Sequence, residues 1–342
     1  MPNDPRLQTP LCKLLGIEVP ILLAGMGGVS RSGLVAAVAN AGGYGILGMV
    51  RESPEFIGAE IDAVRAATDR PFAVNLIPSA TEPTLFDAEL GVCLDRKVPA
   101  LNYFWHVVPK AIARAKAAGC MVLHQVGSLE AAIAAEGAGA DVIIVQGFEA
   151  GGHVHGSTGA LVLIEEVARA VKLPIVASGG FGTGASLVAA MALGAQGIHC
   201  GTAFLATKES FAHDYHKDRV VAARAEDTVY TDVYALNWPP DSPVRVIRNS
   251  LIKALGHNLV GHHPDRLPRE HIAEDDGRKL LKFSTDSPLK TTSGDLEAMA
   301  LYAGQGASLI KDVPTTAERI STIMAEAGEA LARLDGKWGT NA

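Results

Sequence analysis

Eight short, apolar, β-branched runs recur at near-even intervals through the first two thirds of the chain, and that rhythm constrains the fold more than any other feature. They are PILLAGM from Pro20, YGILGM from Tyr44, PFAVNLI from Pro71, ALNYFW from Ala100, MVLHQVG from Met121, VIIVQG from Val142, PIVASGG from Pro174 and GIHCGTAF from Gly197. Ala-rich stretches of helical character, such as SGLVAAVANAG and SLEAAIAAEGAG, lie between them. Each repeat therefore reads as strand, loop and helix. Strands that are apolar on both faces suit a parallel sheet covered by helices. Eight such units close naturally into an α/β (β/α)8 TIM barrel. An open doubly wound sheet fits less well, because the spacing is even and no dinucleotide glycine fingerprint follows the first strand.

After about Ala225 the texture changes. Residues 226–293 are polar and carry Pro239, Pro240, Pro243, Pro264, Pro268 and Pro288, and no βα rhythm survives there. We expect three parts: a barrel over 1–225, a mostly helical insertion over 226–293 that covers the C-terminal mouth, and a segment over 294–342 that packs back on the barrel. An amphipathic helix starting near Thr315 would close the chain.

Composition narrows the class of function. Lys and Arg number 30 against 37 Asp and Glu, a net charge of −7, and no basic run offers a footprint for nucleic acid. No apolar run approaches the ~18 residues of a membrane span. The opening MPNDPRLQTPLCKLLG lacks the basic-then-apolar order of a secretory signal, so a cytoplasmic protein is expected. Cys12, Cys93, Cys120 and Cys200 are too widely spaced for a zinc site or a disulfide framework and read as reduced core thiols.

In a barrel, the C-terminal ends of the strands converge on one mouth, and chemistry is sought there. The seventh and eighth strands end in Ser178, Gly179, Gly180 and in Gly201, Thr202. Glycines there free backbone N–H groups to face an anion, so a phosphate site is expected. The sixth strand ends in the densest motif, Gln146 to Gly156, where Gly151 and Gly152 precede His153. Such glycines let an imidazole lie against a flat ligand, and His153 is placed to act as acid, base or hydrogen-bond donor. Gly25, Met26 and Gly27 end the first strand and allow close approach of a planar heterocycle. Asn75 and Gln125, at the third and fifth strand ends, supply amides that both donate and accept.

Other candidates carry less. No strand ends in a Lys suited to a Schiff base, and no acidic or histidine cluster has metal-ligand form, so no metal is expected. His213 and His216 read as a solvated helical face, and Asp275–Asp276 as a solvated turn. Trp105, His106, Trp238, Arg245 and Arg248 are possible pocket walls.

Taken together, PILLAGMGGVS, AVANAGGYGILG, PFAVNLI, VQGFEAGGHVHG, IVASGGFGTG, GTAFLATKES and YAGQGASLI make the chain similar to the nitronate monooxygenase family, once called 2-nitropropane dioxygenases, and its enoyl-reductase-like relatives. The motifs span nearly the whole chain in the family's order. The resemblance implies FMN, held non-covalently in the barrel mouth. Ser178, Gly179, Gly180, Gly201 and Thr202 would hold its phosphate. Gly25, Met26 and Gly27 would border its ring, with Asn75, Gln125, Gln146 and Gly151 as further contacts. His153 would face the reactive edge and the substrate. The implied reaction is oxidation of an alkyl nitronate by O2 to a carbonyl compound and nitrite, with electrons leaving the substrate one at a time. The sequence departs from the family's AGGHxG pattern, because His155 stands before Gly156, which leaves the working imidazole open between His153 and His155.

Three other readings stand beside it. One is an FMN reductase that uses NAD(P)H on a quinone or enoyl thioester. The others are a non-redox phosphate-binding barrel and a flavin-binding protein without turnover. A small-molecule substrate is expected in the first reading and in the enzymatic alternatives; the oligomeric state is not readable.

Overall fold

The computed structural model describes residues 4–336. Eight parallel strands form the barrel: β1 (Ile21–Leu23), β2 (Gly45–Gly48), β3 (Phe72–Leu76), β4 (Ala100–Tyr103), β5 (Met121–Val126), β6 (Val142–Gln146), β8 (Ile175–Ser178) and β9 (Ile198–Cys200). The short β7 (Gly152–His153) lies in the loop after β6. The sheet runs β1-β9-β8-β6-β5-β4-β3-β2. Tyr44 closes the ring, since Leu23 N–H donates to its carbonyl and its own N–H donates to Ile21. The expected (β/α)8 barrel is therefore present, and all eight apolar runs form its staves.

Helices α1 (Pro10–Leu15), α2 (Ser32–Asn40), α3 (Pro54–Ala67), α4 (Pro83–Asp95), α5 (Pro109–Ala117), α6 (Leu129–Gly137), α7 (Ala160–Ala170), α8 (Gly184–Ala192), α9 (Thr202–Leu205), α10 (Asp214–Ala222), α11 (Ser250–Leu255) and α12 (Thr316–Leu334) follow in chain order. Proline opens α1, α3, α4 and α5 at positions where its missing N–H costs nothing. Helix α12 starts with a reciprocal Thr315–Glu318 capping box and packs on α8 and α2.

Strand alternation divides the apolar residues into two layers. Leu22, Ile46, Ala73, Ala100, Leu123, Ile144 and Val176 point inward, where Leu11, Cys12 and Leu15 of α1 plug the barrel floor. Their neighbours, such as Leu23, Leu47, Val74, Leu101 and Val145, face the helices. Two residues further along each strand, the inward positions are Asn75, Asn102, Gln125, Gln146, Ser178 and, on β9, His199, all buried. The barrel interior thus changes from hydrocarbon to amide, hydroxyl and imidazole at its upper end. All four cysteines are buried and unpaired.

The cover differs from the expected helical one. Residues 226–293 contain β10 (Thr228–Thr231), β11 (Val244–Ile247), β12 (His271–Asp275), β13 (Arg278–Leu281) and the start of β14 (Thr292–Gly294), with α11 as the one α-helix. They build two antiparallel sheets, β10-β11-β7 and β13-β12-β14. The prolines sit in connections between short strands; β12 and β13 form a hairpin, while β11 also pairs with the distant β7. Local periodicity could not reveal that. Within the described residues, no helix is long and apolar enough to cross a membrane.

Candidate active site

A cavity of about 550 Å³ opens at the C-terminal mouth. The thirteen residues singled out in the sequence all line it: Gly25, Met26, Gly27, Asn75, Gln125, Gln146, Gly151, His153, Ser178, Gly179, Gly180, Gly201 and Thr202. Arg51, Phe104, His199, Trp238, Arg278, Asp286 and Tyr302 also line it and were not assigned there, apart from Trp238 as a wall.

The loop after β6 owes its path to long-range contacts. Gln146 donates from Nε2 to the His153 carbonyl at 2.9 Å and accepts the His155 N–H at 3.2 Å. Its amide thus clamps the loop's own backbone. The strand β7 pairs with β11, with Val244 opposite His153 and Arg245 opposite Gly152, so the insertion holds this loop in a sheet. Gly151 lies against Gly304: a Cβ on Gly151 would stand 2.4 Å from the Gly304 nitrogen. That glycine serves close backbone packing, which its place in a ligand-facing motif did not suggest.

The His153 ring stacks on Trp238 with centroids 4.1 Å apart and 26° between planes. Trp105 meets it edge-on at 5.9 Å, and Tyr302 lies 6.2 Å away. Its Nε2 is buried without a partner. Burial, and then the positive charge of Arg51, push its pKa down to about 3, so the imidazole is neutral at physiological pH. His155 is not among the lining residues. Its ring packs on Trp105 at 4.8 Å and on His106 at 5.2 Å, behind the wall. Of the two imidazoles, the geometry puts His153 at the cavity.

The corner where β8 and β9 end has two kinds of N–H group. At the start of α8, Gly182 and Thr183 donate to Ser186 Oγ, Gly184 to Glu326 Oε2 and Ser186 to Thr183 Oγ1. That helix end is already satisfied. The N–H groups of Gly180, Thr202 and Ala203 have no partner among the described residues. Gly179 and Gly180 adopt φ of +91° and +82°, which turn the chain so that this corner is lined by backbone. The Thr202 hydroxyl accepts the Gly304 N–H at 3.1 Å and keeps its own proton to donate. Below, Ser178 Oγ lies 3.0 Å from His199 Nδ1, while His199 Nε2 is buried and unpartnered. Burial pushes His199 down to about 3, so it too is neutral. Unpaired N–H groups at one end, the unpartnered imidazole nitrogens of His153 and His199, buried amides along the floor and glycine backbone on the sides fit a phosphorylated planar heterocycle such as FMN.

Several walls differ from expectation. Trp238 lines the cavity, but Arg245 is buried against Phe148, donating to its carbonyl at 3.0 Å, and Arg248 lies on another flank. His216 is not on a solvated face; it is fully buried and its Nε2 lies 3.0 Å from the Tyr302 carbonyl. His213 caps α10 by accepting the Tyr215 N–H. Asp275 is buried and accepts the hydroxyls of Thr291 and Thr292, whereas Asp276 makes the turn.

A (β/α)8 barrel whose mouth offers a corner of unpaired N–H groups, an amide-lined floor and a neutral histidine is the architecture of a flavin-dependent oxidoreductase, and the family of this chain is of that class. The sequence profile of the family described as nitronate monooxygenase matches residues 8–89 and 80–326, and the chain belongs to that family. It is 33% identical to a (3aS,4S,5R,7aS)-5-hydroxy-7a-methyl-1-oxo-octahydro-1H-indene-4-carboxyl-CoA dehydrogenase of Mycobacterium tuberculosis, over 94% of this chain and 96% of that one. It is 32% identical to a nitronate monooxygenase of Paraburkholderia phytofirmans, over 95% and 96%. The solved structure of FabK from Thermotoga maritima superposes with a TM-score of 0.79 at 31% identity, covering 96% of this chain and 99% of that one.

Proposed function

We propose that this protein binds FMN and oxidises small alkyl nitronates with O2 to a carbonyl compound and nitrite. The observation that carries the reading is the neutral His153, with its Nε2 unpartnered inside an aromatic box at the mouth. When bound, FMN would supply an acceptor for the substrate's electrons and a route to oxygen.

The chain's own residues do the rest. Gly180, Thr202 and Ala203 would donate N–H groups to the phosphate, with the Ser178 and Thr202 hydroxyls beside them. Asn75, Gln125 and His199 would pair with the polar edge of the ring. Because His153 is neutral, a hydrogen bond from its N–H tautomer to a nitronate oxygen, or acceptance of the α-proton of a neutral nitroalkane at Nε2, suits it better than a standing imidazolium. Trp238, Trp105 and Tyr302 pack around that ring and keep water from it.

A second reading is an NAD(P)H-dependent reductase acting on a quinone or enoyl thioester. The activity for which the Mycobacterium tuberculosis relative is named, a carboxyl-CoA dehydrogenase, favours a thioester substrate. An anaerobic absorbance titration of the purified protein separates the two. Bleaching of bound flavin by propionate 3-nitronate, with nitrite released in air, is the expected result. Bleaching by NADH or NADPH alone would replace the first reading by the second, and no flavin spectrum after reconstitution would overturn both.

A further inference from the structure

Five charged side chains line the cavity: Arg51, Glu52, Asp275, Arg278 and Asp286. Arg278 is neutralised by Asp286 at 2.8 Å, and Asp275 is occupied by two threonine hydroxyls. Burial raises the pKa of Glu52, weakening its hold on charge. Arg51 alone among the lining cations forms no ion pair with a carboxylate.

Its position is built. Arg51 follows β2 and has φ of +63°, a left-handed conformation that costs a residue with a Cβ on the order of 1 kcal/mol or more. Its Nε donates to the Ala80 carbonyl at 3.1 Å, and Nη1 donates to the Asn237 carbonyl. The guanidinium sits 4.8 Å from the centroid of Trp238, the ring on which His153 stacks. Nη2 makes no hydrogen bond among the described residues. Arg51 is exposed to solvent, and the Trp238 ring and the Ala80 and Asn237 carbonyls hold its guanidinium in place.

We propose that Arg51 is the substrate-binding cation of this site and that it restricts the substrate to small molecules with a single negative charge, held next to Trp238 and His153. This rests on the reading of His153 as the group that meets substrate. One unpaired cation accommodates one anionic group, such as a nitronate or carboxylate. A polyphosphorylated tail would find no second free cation, because Arg278, the other lining cation, is paired with Asp286.

The test uses butyrate and its neutral isostere butyramide as probes of the flavin-loaded protein, with binding read from the flavin difference spectrum and by calorimetry. The wild type is expected to bind butyrate at least about tenfold more tightly than butyramide, the scale of one charged hydrogen bond. Arg51→Gln should abolish that preference, Arg51→Lys should keep part of it, and both should bind butyramide as the wild type does. No preference in the wild type, or the full preference in Arg51→Gln, would overturn the proposal. If Arg51→Gln does not fold, Arg51→Lys still tests it: a butyrate affinity equal to wild type in a guanidinium-free site would count against the guanidinium's role. Nitrite release is scored separately. A wild type that prefers butyrate through Arg51 but releases no nitrite from nitronates would remove the functional reading and leave Arg51 standing. Nitronate oxidation with an unchanged KM in Arg51→Gln would do the reverse.

Discussion

His153 and Trp238 stack with ring centroids 4.1 Å apart, so a residue from the barrel loop and a residue from the insertion form one unit. Neither His153 Nε2 nor Trp238 Nε1 has a hydrogen-bond partner. Two buried polar atoms left open side by side are costly unless a ligand completes them. The stack shields the imidazole from water and keeps it neutral.

Trp238→Ala should therefore let water reach His153 and raise its pKa from about 3 towards the ordinary value of about 6.5. Kinetically, kcat/KM should fall about tenfold, with the acid limb of its pH profile moved to higher pH. Trp238→Phe should retain most of the activity and the original limb. A pH–rate series on the three proteins checks both expectations.

Gln146→Leu removes the side chain that holds the His153 carbonyl and the His155 N–H. The loss should cost roughly 1–3 kcal/mol of stability in urea unfolding. Because the defect lies in the position of His153 and not in substrate contacts, kcat should drop more than KM rises. Steady-state kinetics beside denaturant curves separate the two effects.

Gly151→Ala puts a methyl group where the Gly304 nitrogen lies, 2.4 Å from the new Cβ. The expected result is a variant destabilised by about 2 kcal/mol or more, with weaker flavin retention, since the displaced 303–304 backbone also lines the cavity. Gly27→Ala, where a Cβ meets nothing within 4 Å, should keep wild-type stability. Thermal melts and flavin released on dialysis measure the contrast.

His124, His153, His199 and His216 have pKa values pushed down by burial, to about 4, 3, 3 and 4. Unfolding restores each towards about 6.5, so below that pH the unfolded chain binds protons that the folded chain refuses. Stability is full above pH ~6.5 and is lost as pH falls towards 4, by up to about 1.4 kcal/mol per pH unit for each histidine. Replacing His216, which bonds the Tyr302 carbonyl away from the cavity, by Gln should make the acid limb of a stability–pH curve shallower.

Much of the barrel could be read from the chain because a parallel stave leaves a local mark: a short apolar run with polar or glycine residues at its end. Asn75, Gln125, Gln146 and Ser178 stand out for that reason, each two positions beyond an inward apolar residue. His199 obeys the same alternation on β9, facing inward between the outward Ile198 and Cys200. Strand parity alone would have found it. Arg51 left no such mark, as a lone arginine after a strand resembles any loop cation until its φ and its neighbours are known.

The alternation of residue types along the chain was sufficient for the eight staves, the polar upper layer and the glycine-flanked histidine, because these depend on interactions within one strand and the turn that follows it. The β7–β11 pairing, the Gly151–Gly304 contact, the Trp238 stack and the choice of His153 over His155 depend on segments about 50 to 150 residues apart meeting at the mouth. Such pairings carry no local period. They exist only once the barrel has closed and brought its loops onto a single surface.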